Sequence, residues 1–81
     1  MQKRATEKDI FIAKMIKKRR IEIGMSQKEL GYRLGGVPNQ QIYKHEIGID
    51  RISASRFLDM VGALDIDIAK FYNAYKKKFN D

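Results

Sequence analysis

Apolar side chains recur along most of this sequence at the three- and four-residue spacing of an amphipathic helix. In a first segment, from about residue 7 to residue 23, Ile12, Ile16 and Ile23 share one arc while the lysines face away. Gly24 then ends this first predicted helix. No stretch of useful length alternates apolar and polar residues with a period of two, so the pattern predicts helices alone.

Two short helices follow, separated by a glycine-containing turn. Ser26 and Glu29 have the spacing of a capping box, which predicts a second helix from about residue 27 to residue 34. Gly35 and Gly36 break the chain, and Pro38 suits a helix start because its missing N–H would be unpaired there anyway. A third helix is therefore predicted from about residue 39 to residue 47.

Two amphipathic helices complete the chain. Ser53 caps a fourth predicted helix that ends near Ala63, and Asp67 caps a fifth. The apolar positions of the fourth helix recur at i, i+3, i+4 and i+7, namely Ala54, Phe57, Leu58 and Val61. Those of the fifth helix are Ile68, Phe71, Tyr72, Tyr75 and Phe79. Five helices joined by short loops predict an all-α fold.

A length of 81 residues supports a single domain over residues 1–81, with a core over about residues 9–72 and a basic C-terminal helix extension over residues 73–81. The absence of cysteine excludes disulfides, thiol nucleophiles and cysteine-ligated zinc. The apolar run near the N-terminus spans only residues 10–13, far too short for a signal sequence or a membrane span. We therefore expect a cytoplasmic protein with no membrane partner.

The basic residues are in excess and unevenly placed. Seventeen Lys and Arg against ten Asp and Glu give a net charge of +7. Residues 1–20 carry +6 and residues 70–81 carry +3, so the middle of the chain is neutral or slightly acidic. An excess this large on so small a surface indicates a polyanionic partner, with nucleic acid favoured over an acidic membrane.

The second and third predicted helices and their turn have the layout of a helix-turn-helix, whose second helix enters the DNA major groove. Residues 12–72 also resemble the Cro and phage-repressor type (XRE-like) of helix-turn-helix transcriptional regulator. The residues that carry this resemblance are Ile12, Ala13, Ile16, Arg20, the run 24–30, the run 34–37, Ile42, Glu46, Gly48, Leu58, Ala63 and Leu64. Residues 40–42 and 51–56 are similar to those of small alphaproteobacterial members.

The resemblance implies a five-helix, repressor-like domain that binds double-stranded DNA as a homodimer. Such a protein occupies a palindromic operator through the major groove and regulates transcription, most often as a repressor. No cofactor, metal or catalysis is expected. The composition agrees with this expectation, because one histidine, no cysteine and dispersed carboxylates provide neither a nucleophile with its base nor a metal cluster.

The third predicted helix has a polar face suited to base contacts. With Ile42 pointing inward, Gln40 and Lys44 fall on the opposite side of the helix. Tyr43 flanks them, and Asn39 occupies the first turn. Amide side chains pair bidentately with adenine and lysine donates to guanine, so we predict that these four residues read bases. The alternative is an ordinary solvated polar face.

Three further residues are predicted to contact phosphate or the edge of the groove, namely Gln27, Gln41 and Arg51. Gln27 opens the second predicted helix, where backbone N–H groups face solvent. The resemblance places Arg51 in a loop that contacts the DNA backbone. The alternatives are a plain first-turn residue for Gln27 and a local ion pair with Asp50 for Arg51.

The resemblance also implies a partly buried structural ion pair between Arg20 and Glu46, which ties the first helix to the third. Other positions depart from the family pattern. The turn holds one residue more than usual, and Pro38 replaces the usual Ser or Thr cap. Asp50 puts a negative charge beside the expected phosphates. His45 replaces a larger apolar residue, and we expect it to pack rather than to sense pH.

An alternative function is a module whose main partner is another protein. Tyr75 and Phe79 continue the apolar stripe of the fifth helix beyond the usual end of the family's core. We expect these residues to form a homodimer interface or to dock a protein partner, as an antitoxin docks its toxin. Scattered surface apolar residues are the plain alternative.

Overall fold

The computed structural model describes residues 5–80, which form five α-helices. The helices are α1 (Glu7–Glu22), α2 (Gln27–Arg33), α3 (Asn39–Glu46), α4 (Ala54–Ala63) and α5 (Ile68–Asn80). This part of the chain contains no strand, which confirms the all-α prediction. Across the same residues, none of the helices combines the length and the apolar character that crossing a bilayer requires.

Side-chain caps set where the helices begin. Ser26 and Ser53, both predicted caps, accept hydrogen bonds from the backbone N–H three residues ahead at 3.0 and 3.1 Å. Asp67 accepts from the backbone N–H groups of Ala69 and Lys70, two and three residues ahead, in the first turn of α5. A full capping box between Thr6 and Asp9, absent from the sequence prediction, begins α1. The caps therefore account for the starts of α1, α2, α4 and α5.

Every helix contributes to a single core. Its fully buried apolar side chains are Ile16, Leu30, Ile42, Met60 and Leu64. Phe71 of α5 completes this cluster and meets the ring of Phe57 edge-on, with 5.2 Å between centroids. Because α3 packs against both α1 and α2, its inner side is held in the core by Ile42 and its outer side is left to solvent.

The buried face of α4 differs from the prediction. Leu58 was expected in the core but is 63% exposed, whereas Met60 is fully buried. The observed face has Phe57, Met60, Val61 and Leu64 at the same i, i+3, i+4 and i+7 spacing. Phe57 and Val61 belong to both arcs, so the spacing alone could not decide between Leu58 and Met60. The prediction for Leu58 was therefore wrong.

The apolar stripe of α5 is also less buried than the sequence pattern suggested. Phe71 is buried, but Ile68 and Tyr72 are about half exposed. Ile23, expected on the inner arc of the first helix, lies just beyond the end of α1 and is exposed. The five short helices thus leave several large apolar side chains in contact with solvent.

Candidate DNA interface

The outer face of α3 brings together the four side chains predicted to read bases. Asn39, Gln40, Tyr43 and Lys44 are all exposed. Gln40 and Lys44 lie opposite the buried Ile42, Tyr43 flanks them, and Asn39 lies in the first turn of α3. About half of Tyr43 is accessible, so its ring flanks the polar groups without being packed away. The helix α3 is 8 residues long, and its exposed side chains include amide, ammonium and phenol groups.

The turn between α2 and α3 is built on glycine. The carbonyl of Gly31 accepts from the N–H groups of Gly36 and Val37 at 3.0 and 2.8 Å. A Cβ on Gly31 would collide with the Val37 carbonyl oxygen, so α2 and the turn approach each other as closely as glycine permits. Gly35 and Gly36 have φ values of +93° and +101°, in the region that favours glycine. Pro38 then begins α3 without a side-chain cap.

A buried ion pair lies behind this interface. Arg20 Nε and Nη2 donate to the two carboxylate oxygens of Glu46 at 2.6 and 3.0 Å, and both residues are buried. Arg20 Nη1 donates to the carbonyl of Met25 at 2.7 Å, and Gln27 Nε2 donates to Glu46 Oε1 at 3.0 Å. These contacts join α1, the start of α2 and the end of α3. One amide proton of Gln27 is used in this network, which leaves its second for an outside acceptor.

Gln41 lies between α3 and the turn that follows it. Its Nε2 donates to Asp50 Oδ2 at 3.0 Å and lies 3.4 Å from His45 Nε2. The His45 ring is buried, and its Nδ1 lies 3.3 Å from the Asp50 carbonyl oxygen. With a proton on Nδ1, the ring can donate to this carbonyl oxygen and accept from Gln41 through Nε2. The structure therefore places Gln41 as a brace for the turn and His45 as a packed side chain.

Arg51 lies in the loop between α3 and α4, and half of its side chain is exposed. Its Nε is 3.2 Å from Asp9 Oδ2, so its salt bridge is to the first turn of α1 and not to the adjacent Asp50. The same carboxylate oxygen accepts from the backbone N–H and the hydroxyl of Thr6 at 2.8 and 3.0 Å. The Thr6 backbone hydrogen bond, with a smaller contribution from the Arg51 charge, holds the pKa of Asp9 below its usual value.

Tyr75 and Phe79 pack against α1. The ring of Phe11 lies edge-on to both, with centroid distances of 6.3 Å to Tyr75 and 5.4 Å to Phe79. The ammonium of Lys8 lies 5.9 Å from the Phe79 centroid. Both residues remain partly exposed, so this aromatic cluster uses some of their surface within the monomer and leaves the rest at its edge.

A family match covers the part of the chain that contains α2, α3 and the loop with Arg51. A model of the helix-turn-helix family matches residues 16–71, which contain α2, the turn and α3. The chain belongs to the Cro/C1-type (XRE) helix-turn-helix family. Members of this family are DNA-binding regulators of transcription and not enzymes. Within residues 5–80, no group of three or more potential metal ligands lies close together.

Relatives in this family come from alphaproteobacteria, as the resemblance implied. An uncharacterized HTH-type transcriptional regulator of Sinorhizobium medicae is 39% identical over 64 residues, which cover 79% of this chain and 45% of that protein. An uncharacterized transcriptional regulator in the ATPase CF(0) region of Rhodospirillum rubrum is 38% identical over 65 residues, which cover 80% of this chain and 59% of that protein. The chain therefore spans about half the length of these relatives.

A solved structure has a similar fold. It is a mutant of a restriction-modification controller protein, and it matches with a TM-score of 0.79 over 94% of this chain and 100% of that chain. The sequences are 19% identical, so the similarity shows a shared fold. The fold of this chain is therefore one that a solved structure also has.

Thr6 and Asp9 are the neighbours of the site that sequence reasoning missed. Their spacing fits a capping box ahead of an apolar run, so a local signal for the helix start was present. Nothing local connects Asp9 to Arg51, because the two residues meet only when the loop after α3 folds back on α1.

Proposed function

We propose that this protein binds a specific DNA operator as a homodimer, with α3 of each protomer in a major groove, and represses transcription by occupying the site. The observation that carries the proposal is the exposed cluster of Asn39, Gln40, Tyr43 and Lys44 on the outer face of α3. Membership of a family of DNA-binding regulators supports it. The protein would act on the chromosome in the cytoplasm.

The chemistry of the α3 face suits direct readout of base pairs. The amides of Asn39 and Gln40 can each donate to N7 and accept from N6 of adenine in the pattern of a bidentate contact. The ammonium of Lys44 can donate to O6 and N7 of guanine. Tyr43 can add a hydroxyl contact or pack its ring against a thymine methyl. These side chains would supply sequence preference.

Contacts to the sugar-phosphate backbone would come from residues beside α3. Arg51 follows α3 in the chain and keeps half of its side chain in solvent. Gln27, at the start of α2, has one amide proton beyond the one that Glu46 uses. Gln41 is engaged with Asp50, so we assign it an indirect part in placing the loop. Such contacts fix register and orientation rather than sequence.

A homodimer is proposed because one helix in one groove reads few base pairs. Two copies related by a two-fold axis would meet two half-sites about 34 Å apart on one face of the duplex. Tyr75 and Phe79 remain candidates for the contact between protomers, although each also packs on Phe11. Leu58 and Tyr72 present further exposed apolar surface on α4 and α5.

Selection of bound sequences from a random DNA library at physiological salt tests this function. We expect enrichment of a motif with two inverted half-sites whose centres are about one helical turn apart. Enrichment of a single unpaired half-site would contradict the homodimer. Failure to enrich any motif, together with tight binding of a copurified protein, would favour the alternative antitoxin-like function.

A further inference from the structure

We infer that Asp9, at the start of α1, is a positioning residue that holds Arg51 in place to contact a DNA phosphate. This inference rests on the proposed DNA-binding function and adds a residue to it that lies outside the helix-turn-helix. The observation behind it is the salt bridge between Arg51 Nε and Asp9 Oδ2, which links the loop after α3 to the cap of α1.

Hydrogen bonds that do not involve Arg51 fix the position of the Asp9 carboxylate. Its Oδ2 accepts from the Thr6 backbone N–H at 2.8 Å and from the Thr6 hydroxyl at 3.0 Å. In return, the Asp9 backbone N–H donates to the Thr6 hydroxyl at 3.3 Å. A capping box of this kind restricts the rotamer of the carboxylate, so Arg51 meets an acceptor with one defined position.

The loop that carries Arg51 is itself held against the helices. The N–H groups of Ile49 and Asp50 donate to the Lys44 carbonyl at the end of α3. Ile52, next in the chain, packs against the core, and Gly48 lies so close to Ile10 that a Cβ there would approach Ile10 Cγ1 to 3.0 Å. The backbone of Arg51 is therefore placed, and Asp9 restricts the side chain that extends from it.

The contact with Asp9 leaves the outer end of Arg51 available. The shortest contact with the carboxylate is through Nε, and half of the Arg51 side chain is exposed to solvent. A guanidinium offers five N–H donors in a planar fork, and the Nη donors match the spacing of phosphate oxygens. Orienting this side chain in advance lowers the entropy lost when it binds. Asp9 would thus raise affinity although it carries the same sign of charge as DNA.

The negative charge of Asp9 allows its positioning role to be distinguished from a purely electrostatic one. If Asp9 acted only through its charge, its neutralisation would tighten DNA binding, because one repulsive carboxylate would be lost. If Asp9 positions Arg51, neutralisation weakens binding, and only while an arginine is present at residue 51. The two accounts therefore predict opposite effects of the same substitution.

The experiment is a double-mutant cycle with Asp9→Asn and Arg51→Gln, in the full chain, on the selected operator and on a random duplex of equal length. Asparagine keeps an oxygen that can accept from Thr6, so the cap is retained in part. We expect Arg51→Gln to weaken both duplexes about fivefold and to lower the slope of log affinity against log salt by about 0.9. Asp9→Asn should weaken binding about threefold with Arg51 and have no weakening effect with glutamine.

Three controls separate positioning from folding and from bulk charge. Asp59→Asn removes the same charge from an exposed position on α4 and should not weaken binding. Thr6→Ala removes the side-chain cap of α1 but keeps the Thr6 backbone N–H that donates to Asp9 Oδ2, so it should lower the melting temperature while weakening DNA binding less than Asp9→Asn does. Arg51→Lys is at an exposed position and keeps the charge, yet lysine lacks the fork, so Asp9→Asn should add nothing to its loss of affinity.

The outcomes are distinct. Equal weakening by Asp9→Asn in both backgrounds, or tighter binding in both, would overturn the positioning role and leave the proposed function intact. An unchanged affinity on Arg51→Gln would overturn both the phosphate contact and the positioning role. The proposed function is tested separately, by the selection from random DNA, and failure to enrich any motif there would overturn it.

Discussion

At the scale of single residues, Arg20 and Glu46 show how burial makes two charges depend on each other. The two hydrogen bonds between them, with the bonds from Arg20 to Met25 and from Gln27 to Glu46, compensate both charges inside the fold. Such a pair contributes modestly when complete, but the loss of one member leaves the other charge buried and alone. The pair thus fixes the distance between α1 and α3 more than it adds to stability.

Arg20→Met should therefore lower the free energy of unfolding by about 3–5 kcal/mol, because it strands the Glu46 carboxylate. Lys17→Met, on the exposed side of the same helix, is the matched control and should change stability by less than about 0.5 kcal/mol. Denaturant unfolding followed by circular dichroism measures both. Equal midpoints for the two variants would show that the ion pair does not hold α1 to α3.

The same residue scale separates the amide side chains by their surroundings. Gln27 and Gln41 donate to carboxylates of the protein, whereas Asn39 and Gln40 lie on the open face of α3. Sequence spacing places all four near the interface but contains no information on which carboxylate folds back to meet which amide. Of these four amides, the proposed function therefore assigns direct base contact only to Asn39 and Gln40.

At the scale of elements, the α2–α3 turn depends on a close approach at Gly31. The carbonyl of Val37 occupies the space that a side chain on Gly31 would need, and the Gly31 carbonyl accepts two N–H groups of the turn. Any movement there changes the angle at which α3 leaves the turn. The orientation of α3 is thus coupled to Gly31, a buried residue of α2.

Gly31→Ala should lower the free energy of unfolding by about 1–3 kcal/mol, since the turn must shift to admit the methyl group. Gly62→Ala is the matched control, because the space around Gly62 on α4 is open. Alanine is the better helix former, so this control should gain about 0.5–1 kcal/mol. Thermal unfolding of the two variants measures the difference, and stabilisation by both would contradict the close approach.

The elements were largely predictable from the sequence because their signals are local. The caps at Ser26, Ser53 and Asp67 and the glycines after the helices are read within a few residues. The buried face of α4 was not predictable in this way. Leu58 and Met60 lie on either side of Phe57 and Val61 around the helix, and only packing decides which of them is buried. The salt bridge between Asp9 and Arg51 was also not predictable from the sequence, because the two residues are distant in the chain.

At the scale of the whole molecule, the excess positive charge and the exposed amide side chains of α3 lie in different parts of the chain. Residues 1–20 and 70–81 together carry a charge of +9, more than the net +7 of the whole chain, whereas α3 contains one lysine, one glutamate and one histidine. Charge spread in this way attracts a polyanion without regard to its sequence. Under the proposed function, the amide-rich face of α3 discriminates between sequences.

If the outer face of α3 reads bases, as proposed, its side chains determine the ratio of the affinities for the selected operator and for a scrambled duplex. Gln40→Ala combined with Lys44→Ala should reduce this ratio by about two orders of magnitude, since each lost base contact costs about 1–3 kcal/mol. Lys76→Ala, an exposed lysine on α5, should weaken both duplexes slightly and leave the ratio unchanged. A ratio that the α3 double variant leaves unchanged would contradict the account.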